Sequence, residues 1–274
     1  MKFRKLSYPY LVWMGIFILV PLFMILYYSL SIKGMDGLTV ANFKEFFGSI
    51  NLVVLLHSIK IAFITTIICL LIGYPTAYLI SKAPLKRRSI MLILIVLPMW
   101  MNFLLRTYAW MNILAKNGIL NNFFRFLGLS PKTMLYTQGA IVVGMVYNFL
   151  PFMILPIYTV LEKMDHSLVE AAKDLGANNF QTFVKVIFPM SLTGVITGVT
   201  MVFIPAISTF EISALLGGNK VNLIGNVIEN QFRVIGDWNY GSAISMVLMV
   251  IIFVTMLVTN KFNPDDEKTG GGLW

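Results

Sequence analysis

The chain has 274 residues, of which 58% are hydrophobic and only 12% charged, with a mean hydropathy of +0.80 and a formal net charge of +9. Soluble domains carry about 25% charged residues, so this composition excludes a water-soluble globular protein and predicts an integral membrane one. The lone cysteine, Cys69, excludes an internal disulfide, and His57 and His166, far apart in sequence and expected on opposite sides of the membrane, are not expected to share a zinc ion.

A spanning helix needs roughly 20 predominantly apolar residues. Six runs qualify, at about 10–31, 55–80, 89–114, 139–161, 190–216 and 241–260, joined by short polar links. The first follows Lys2, Arg4 and Lys5 as a signal peptide would, yet it exceeds the usual apolar core of about 7 to 15 residues and no small-x-small cleavage site follows. A retained first helix is expected. The fold class expected is therefore all-α, a polytopic membrane protein of six transmembrane helices. Its parts would be an N-terminal stub, first helix and external link (1–54), a transmembrane helical domain (55–260) and a flexible tail (261–274). Prolines 98, 151, 156 and 205 are expected to interrupt several of the helices.

Orientation follows from the links. With the N-terminus inside, the inner segments hold twelve Lys and Arg and the outer links seven, with the densest cluster at Lys86-Arg87-Arg88. That bias predicts cytoplasmic termini. The positive charge then reads as topology, and no aromatic-interleaved basic module suggests nucleic-acid binding. The fifth run contains Gly194 and Gly198, a small-xxx-small pair suited to close helix packing.

The link between the fourth and fifth runs is the most structured polar segment. Ser167, three residues before Glu170, has the spacing of a capping box, and Gly176 suits a left-handed helix end, so a short helix is expected over 167–175. Asn178 or Asn179 would cap a second helix that runs to a break at Pro189.

Glu170, Ala171, Ala172, Gly176, Val186, Phe188 and Pro189 fit, with two apolar swaps, the pattern Glu-Ala-Ala, three residues, Gly, nine residues, Ile, one residue, Leu-Pro. The segment thereby resembles the coupling loop of the permease subunits of bacterial type I ABC importers. Leu56-His57-Ser58, Gly73-Tyr74-Pro75, residues 97–102, Arg106-Thr107-Tyr108, residues 223–228 and Asp237-Trp238 look like the spermidine/putrescine permeases, the first of their two kinds. The resemblance implies a cytoplasmic coupling helix between helices 4 and 5 that docks on an ATP-hydrolysing dimer. It also implies a second, homologous permease subunit, an external polyamine-binding protein, and a multi-pass position in the bacterial plasma membrane. It implies no cofactor on this chain, with ATP acting through the partner.

The residues themselves are consistent with that division of labour. There is no Gly-Lys dipeptide, hence no Walker A loop, and no His-Glu-x-x-His or Gly-x-Ser-x-Gly, so neither catalytic residues nor a metal site are expected. A secondary carrier, the alternative of a different class, usually carries several intramembrane acidic residues or paired broken helices. Here the six runs contain one, Glu211. The same kind of importer carrying thiamine, an iron complex or an oxyanion is the nearer alternative.

A desolvated linear amine needs carboxylates or aromatic faces at intervals. Glu211, Trp110 and Tyr108 are expected together near the outer boundary, with Trp100 and Asn102 deeper in the third run. Arg106 or Lys60 is the expected ion-pair partner of Glu211 if that carboxylate is structural. Glu229, Asp237 and Trp238 lie in the external link before the last run, where the expected contact is the binding protein or the entering amine. A solvated loop is the simpler reading for Glu229, and an anchor for the sixth helix is the equal alternative for Asp237 and Trp238.

Overall fold

The structure, a computed structural model, describes residues 8–32, 37–218 and 220–261. The basic N-terminal residues and the tail with Asp265-Asp266-Glu267 lie outside them. In hydrocarbon every backbone amide must be satisfied within its own segment, and an apolar run meets that condition as a helix. Among the described residues there is accordingly no β-strand.

Four helices are long and apolar enough to cross a membrane: α1 (Pro9–Ser29), α3 (Ile50–Lys82), α7 (Gln138–Lys163) and α13 (Trp238–Lys261). Between α1 and α3 lies the short α2 (Ala41–Gly48). At 1.5 Å per residue the 33 residues of α3 extend about 50 Å, well beyond a bilayer core of about 30 Å. The other two expected spans are bent pairs, which would raise the number to six.

The third run is α4 (Leu85–Val96), a 3₁₀ turn at Leu97–Trp100 and then α5 (Phe103–Leu114) followed by α6 (Ile119–Phe126). The axes on either side of the break differ by 95°, so the third run is interrupted next to Pro98 and is a bent pair in place of one straight span. Pro98 lacks a backbone donor, and the Asn102 side chain accepts from the amides of Leu104 and Leu105, which starts a new helix in a new direction. The other prolines do not break their helices. Pro151 and Pro156 lie inside α7, and Pro205 lies inside α10 (Leu192–Ser208), where packed neighbours hold the axis.

The fifth run is divided twice. The amphipathic α9 (Asn179–Met190) meets α10 at 61°, and the bend falls at Ser191, two residues beyond the expected break at Pro189. After α10 the chain opens at Thr209 and Phe210 and resumes as α11 (Glu211–Gly217), then α12 (Ile224–Asn230) with a wide π turn at Gln231–Ile235.

The core is the triangle of α3, α7 and α10, whose contacts are fully buried at Ile61, Met145, Met153, Ile157, Val202 and Ala206. Gly194 and Gly198 let α10 approach α7 as expected. A Cβ on Gly194 would stand 2.9 Å from the Pro156 carbonyl oxygen, and one on Gly198 would stand 2.8 Å from the Met153 sulfur. Helices α1 and α2 pack on α13, outside the triangle.

Candidate functional site: a capped loop at one end and a broken-helix cavity at the other

The loop between α7 and α10 begins with α8 (His166–Asp174). Its N-cap is Asp165, whose carboxylate accepts from the Ser167 amide at 2.9 Å, so the expected Ser167–Glu170 capping box does not form. The helix starts two residues sooner than a Ser167 cap requires, which places Glu170 a full turn inside and out of reach of the first amides. Its carboxylate has no hydrogen-bond or ion-pair partner among the described residues, and the side chain is exposed. The C-terminal end is as expected. Gly176 has φ +85°, its amide donates to the Lys173 carbonyl and the Ala177 amide to the Ala172 carbonyl, which is a Schellman end. Asn178, not Asn179, caps α9 in a reciprocal box with Gln181.

Sequence reasoning missed two features here. Leu175 and Phe180 are 89% and 76% exposed, and they flank the Gly176 turn beside Glu170. Apolar residues on both sides of a glycine in a polar link were the available signal. The second is a buried tie from this loop into the core. Ser191 Oγ donates to the Phe188 carbonyl, and the Tyr74 hydroxyl of α3 meets that same Oγ at 2.7 Å. The Tyr74 ring lies 5.7 Å from both Phe183 and Phe188 of α9. On the neighbouring corner, Arg88 of α4 pairs with Glu162 of α7 at 2.9 Å and donates to the Ser81 carbonyl of α3. The basic cluster therefore has a structural job as well as a topological one.

At the other end, α11 packs against both α5 and α7. Glu211 opens α11 and does not lie within a continuous fifth helix, because the break at Thr209–Phe210 is held from outside. Asn226 of α12 donates to the Phe210 carbonyl and accepts from the Ser213 hydroxyl and the Leu223 amide. Glu211 is half-buried and accepts one hydrogen bond, from Thr209 Oγ1 at 3.3 Å. The expected ion pair with Arg106 or Lys60 is absent among the described residues. Lys60 is exposed, while Arg106 is 9% exposed, lies against the Phe103 ring, and leaves Nε and Nη1 without partners.

The other pathway residues separate. Trp110 meets Tyr147 of α7 edge-on at 5.4 Å, and Tyr108 is exposed on the same helix. Trp100 is largely exposed on the far side of the 95° bend, and Asn102 is occupied in capping α5. Asp237 caps the start of α13 through the Tyr240 amide, and Trp238 meets the Phe232 ring edge-on and the Tyr28 ring at a tilt. Those two residues anchor the last helix.

Two cavities lie against α12. One of 490 Å³ is lined by Asn51, Ala214, Asn222, Glu229, Asn230 and Gln231 among others. The other, of 480 Å³, is mainly apolar and includes Phe210, Phe232, Leu248 and Ile252. Glu229 lines both.

Residues 70–265 match the family described as the inner membrane component of binding-protein-dependent transport systems. The chain is 40% identical to the spermidine/putrescine transport system permease protein PotB of Haemophilus influenzae, over 96% of this chain and 94% of that one. Identity to PotB of Escherichia coli K12 is 39%, over 90% and 92%. Among solved structures, a bacterial ABC transporter that imports the polysaccharide alginate superposes with a TM-score of 0.78 at 17% identity, covering 96% of this chain and 95% of its counterpart. That last likeness is one of fold.

Proposed function

This chain belongs to the inner membrane components of binding-protein-dependent transport systems, and from that premise we propose that it is the membrane-spanning permease subunit of an ATP-driven polyamine importer. The observation that carries the substrate is the 40% identity to a spermidine/putrescine permease along 96% of the chain. Energy comes from a separate ATPase dimer, solute from an external binding protein, and a second, homologous permease completes the pathway. The chain itself holds no cofactor.

The geometry supports an alternating-access mechanism with two moving ends. Glu170, Ala171, Ala172 and Gly176 form the coupling surface, with Leu175 and Phe180 as its apolar anchors. When the ATPases close, α8 and α9 move as a pair fixed by the Gly176 turn. Pro189 lies within α9, and the motion passes through the Tyr74–Ser191 contact into α3 and α10. Because α10 packs closely on α7 at Gly194 and Gly198, a displacement is transmitted along it to the break at Thr209–Phe210. There Glu211, Trp110 and Tyr108, with Trp100 and Asn102 at the companion break, line the path of the amine. Asp237 and Trp238 frame it by fixing α13.

Reconstitution of the complete importer in vesicles tests this reading. Labelled spermidine and putrescine are expected to enter only with ATP, the ATPase and the binding protein all present. Uptake without the ATPase, or entry of thiamine or an oxyanion in place of the amines, would reject it.

The membrane orientation has its own test. Cysteines placed at Lys86 and Lys173, in a chain with Cys69 replaced, are expected to resist an impermeant thiol reagent in intact cells and to react once the membrane is opened. Labelling of both from outside would invert the topology.

A further inference from the structure

The polar cavity beside α12 is separate from the coupling loop, and Glu211 is not among the residues that line it. Most of its lining is carboxamide. Asn51 donates to the Tyr240 hydroxyl and keeps its carbonyl oxygen free, while Asn222, Asn230 and Gln231 make no side-chain hydrogen bond among the described residues. Glu229 is the one carboxylate, and no described lysine or arginine lines the space. Free carbonyl and carboxylate oxygens around a cavity suit a donor-only guest such as an ammonium group.

Two further observations narrow the guest. Glu229 also lines the second, mainly apolar cavity, whose walls include Phe210, Phe232 and Leu248 together with Arg233. An ammonium held at Glu229 in the polar cavity would therefore place a methylene chain in the apolar one. The second observation is Arg233, one turn further on, which donates to Glu229 Oε1 at 2.7 Å while its own side chain is 73% exposed. Glu229 is only 26% exposed. The carboxylate is built in and its present cation is solvated and detachable.

On these grounds, and resting on the polyamine reading above, we propose that Glu229 and the surrounding amides form an entry subsite for a terminal ammonium of an alkyl polyamine, for which the Arg233 guanidinium is a displaceable stand-in. Ala214 on α11 closes one side of this cavity and lies one turn from Glu211 on the same face, so the subsite leads to the next carboxylate.

The subsite makes a prediction of opposite signs. Glu229→Gln removes the charge that holds the ammonium. Arg233→Gln removes the competitor. Binding of labelled spermidine to the purified permease–ATPase complex, without binding protein, is expected to weaken at least about 5-fold in Glu229→Gln, as for loss of a charge-assisted hydrogen bond. In Arg233→Gln it is expected to tighten by about 2- to 5-fold, the scale of an exposed ion pair. If the ion pair only stabilises α12, both substitutions lower the unfolding midpoint and leave binding equal or weaker in both. That pattern, or no saturable binding by the unaltered complex, would overturn the subsite. Vesicle uptake by the unaltered importer is measured alongside. Intact amine uptake with no opposite-sign effect rejects the subsite alone, whereas absence of amine uptake rejects the polyamine reading.

Discussion

Reversing the charge at Glu170 is expected to abolish most transport while leaving the protein inserted and folded. The reason lies in what the carboxylate does not do. It caps nothing, since Asp165 holds the helix start, and it is exposed without a partner among the described residues. A free carboxylate on the same short loop as exposed Leu175 and Phe180 has the composition of a docking surface, one specific charge with apolar anchors. Glu170→Lys in the assembled importer should cost at least about 10-fold in transport, because loss of a charge contact in a closed interface is worth about 2 to 5 kcal/mol. Gly176→Val acts by a different route to the same end. Its φ of +85° costs a β-branched residue on the order of 1 to 2 kcal/mol, so the angle between α8 and α9 changes although nothing in the core does. The measurement is ATP hydrolysis stimulated by the loaded binding protein, together with co-purification of the ATPase. Normal stimulated hydrolysis in both variants would remove this loop from the coupling path.

Glu211→Gln is expected to lower uptake of the trication spermidine more than that of the dication putrescine, after normalising to folded protein. The structure sharpens the competing account, in which Glu211 exists to neutralise Arg106. No such pair forms, and Glu211 accepts a single hydrogen bond from Thr209. Arg106→Gln is thus expected not to rescue Glu211→Gln, and the doubly substituted chain should show the defect of Glu211→Gln with or without an added one. Trp110→Leu should add to the loss and Trp110→Phe should retain part of the uptake, each cation-π contact being worth about 0.5 to 2 kcal/mol. Equal normalised uptake of both amines in Glu211→Gln, or recovery in the double variant, would leave the carboxylate with a structural role only.

Much of this molecule was legible in its residues. The apolar runs, the left-handed Gly176, the Asn178 cap and the Gly194–Gly198 packing stripe all depend on local properties: hydropathy, a backbone angle, a side chain that reaches its own helix. A sequence carries those directly. The misread elements depend on competition between neighbours. Ser167 and Asp165 are both good caps, and the chain takes the one that starts the helix sooner. Proline content suggested that several helices are interrupted at positions 98, 151, 156 and 205, but of these four only Pro98 lies beside a sharp bend. There Asn102 supplies replacement acceptors for the freed amides, whereas Pro151, Pro156 and Pro205 are held in line by packed helices.

The sequence by itself determined that the chain resides in a membrane, roughly where its apolar helices fall, and which polar loop forms a capped and terminated helix. Only the tertiary structure decided where the helices turn and which charges meet. The 95° bend at Asn102 and the opening before Glu211 are invisible to hydropathy, because an apolar run favours lipid whatever its axis. The break at Phe210 is set by Asn226, sixteen residues away, and the loop is joined to the core by Tyr74, more than a hundred residues from Ser191. Long-range hydrogen bonds of this kind have no period and leave no spacing in the chain. The same holds for Glu229: its neighbours in sequence describe a solvated loop, and its cavity exists only because α3, α11 and α12 converge on it.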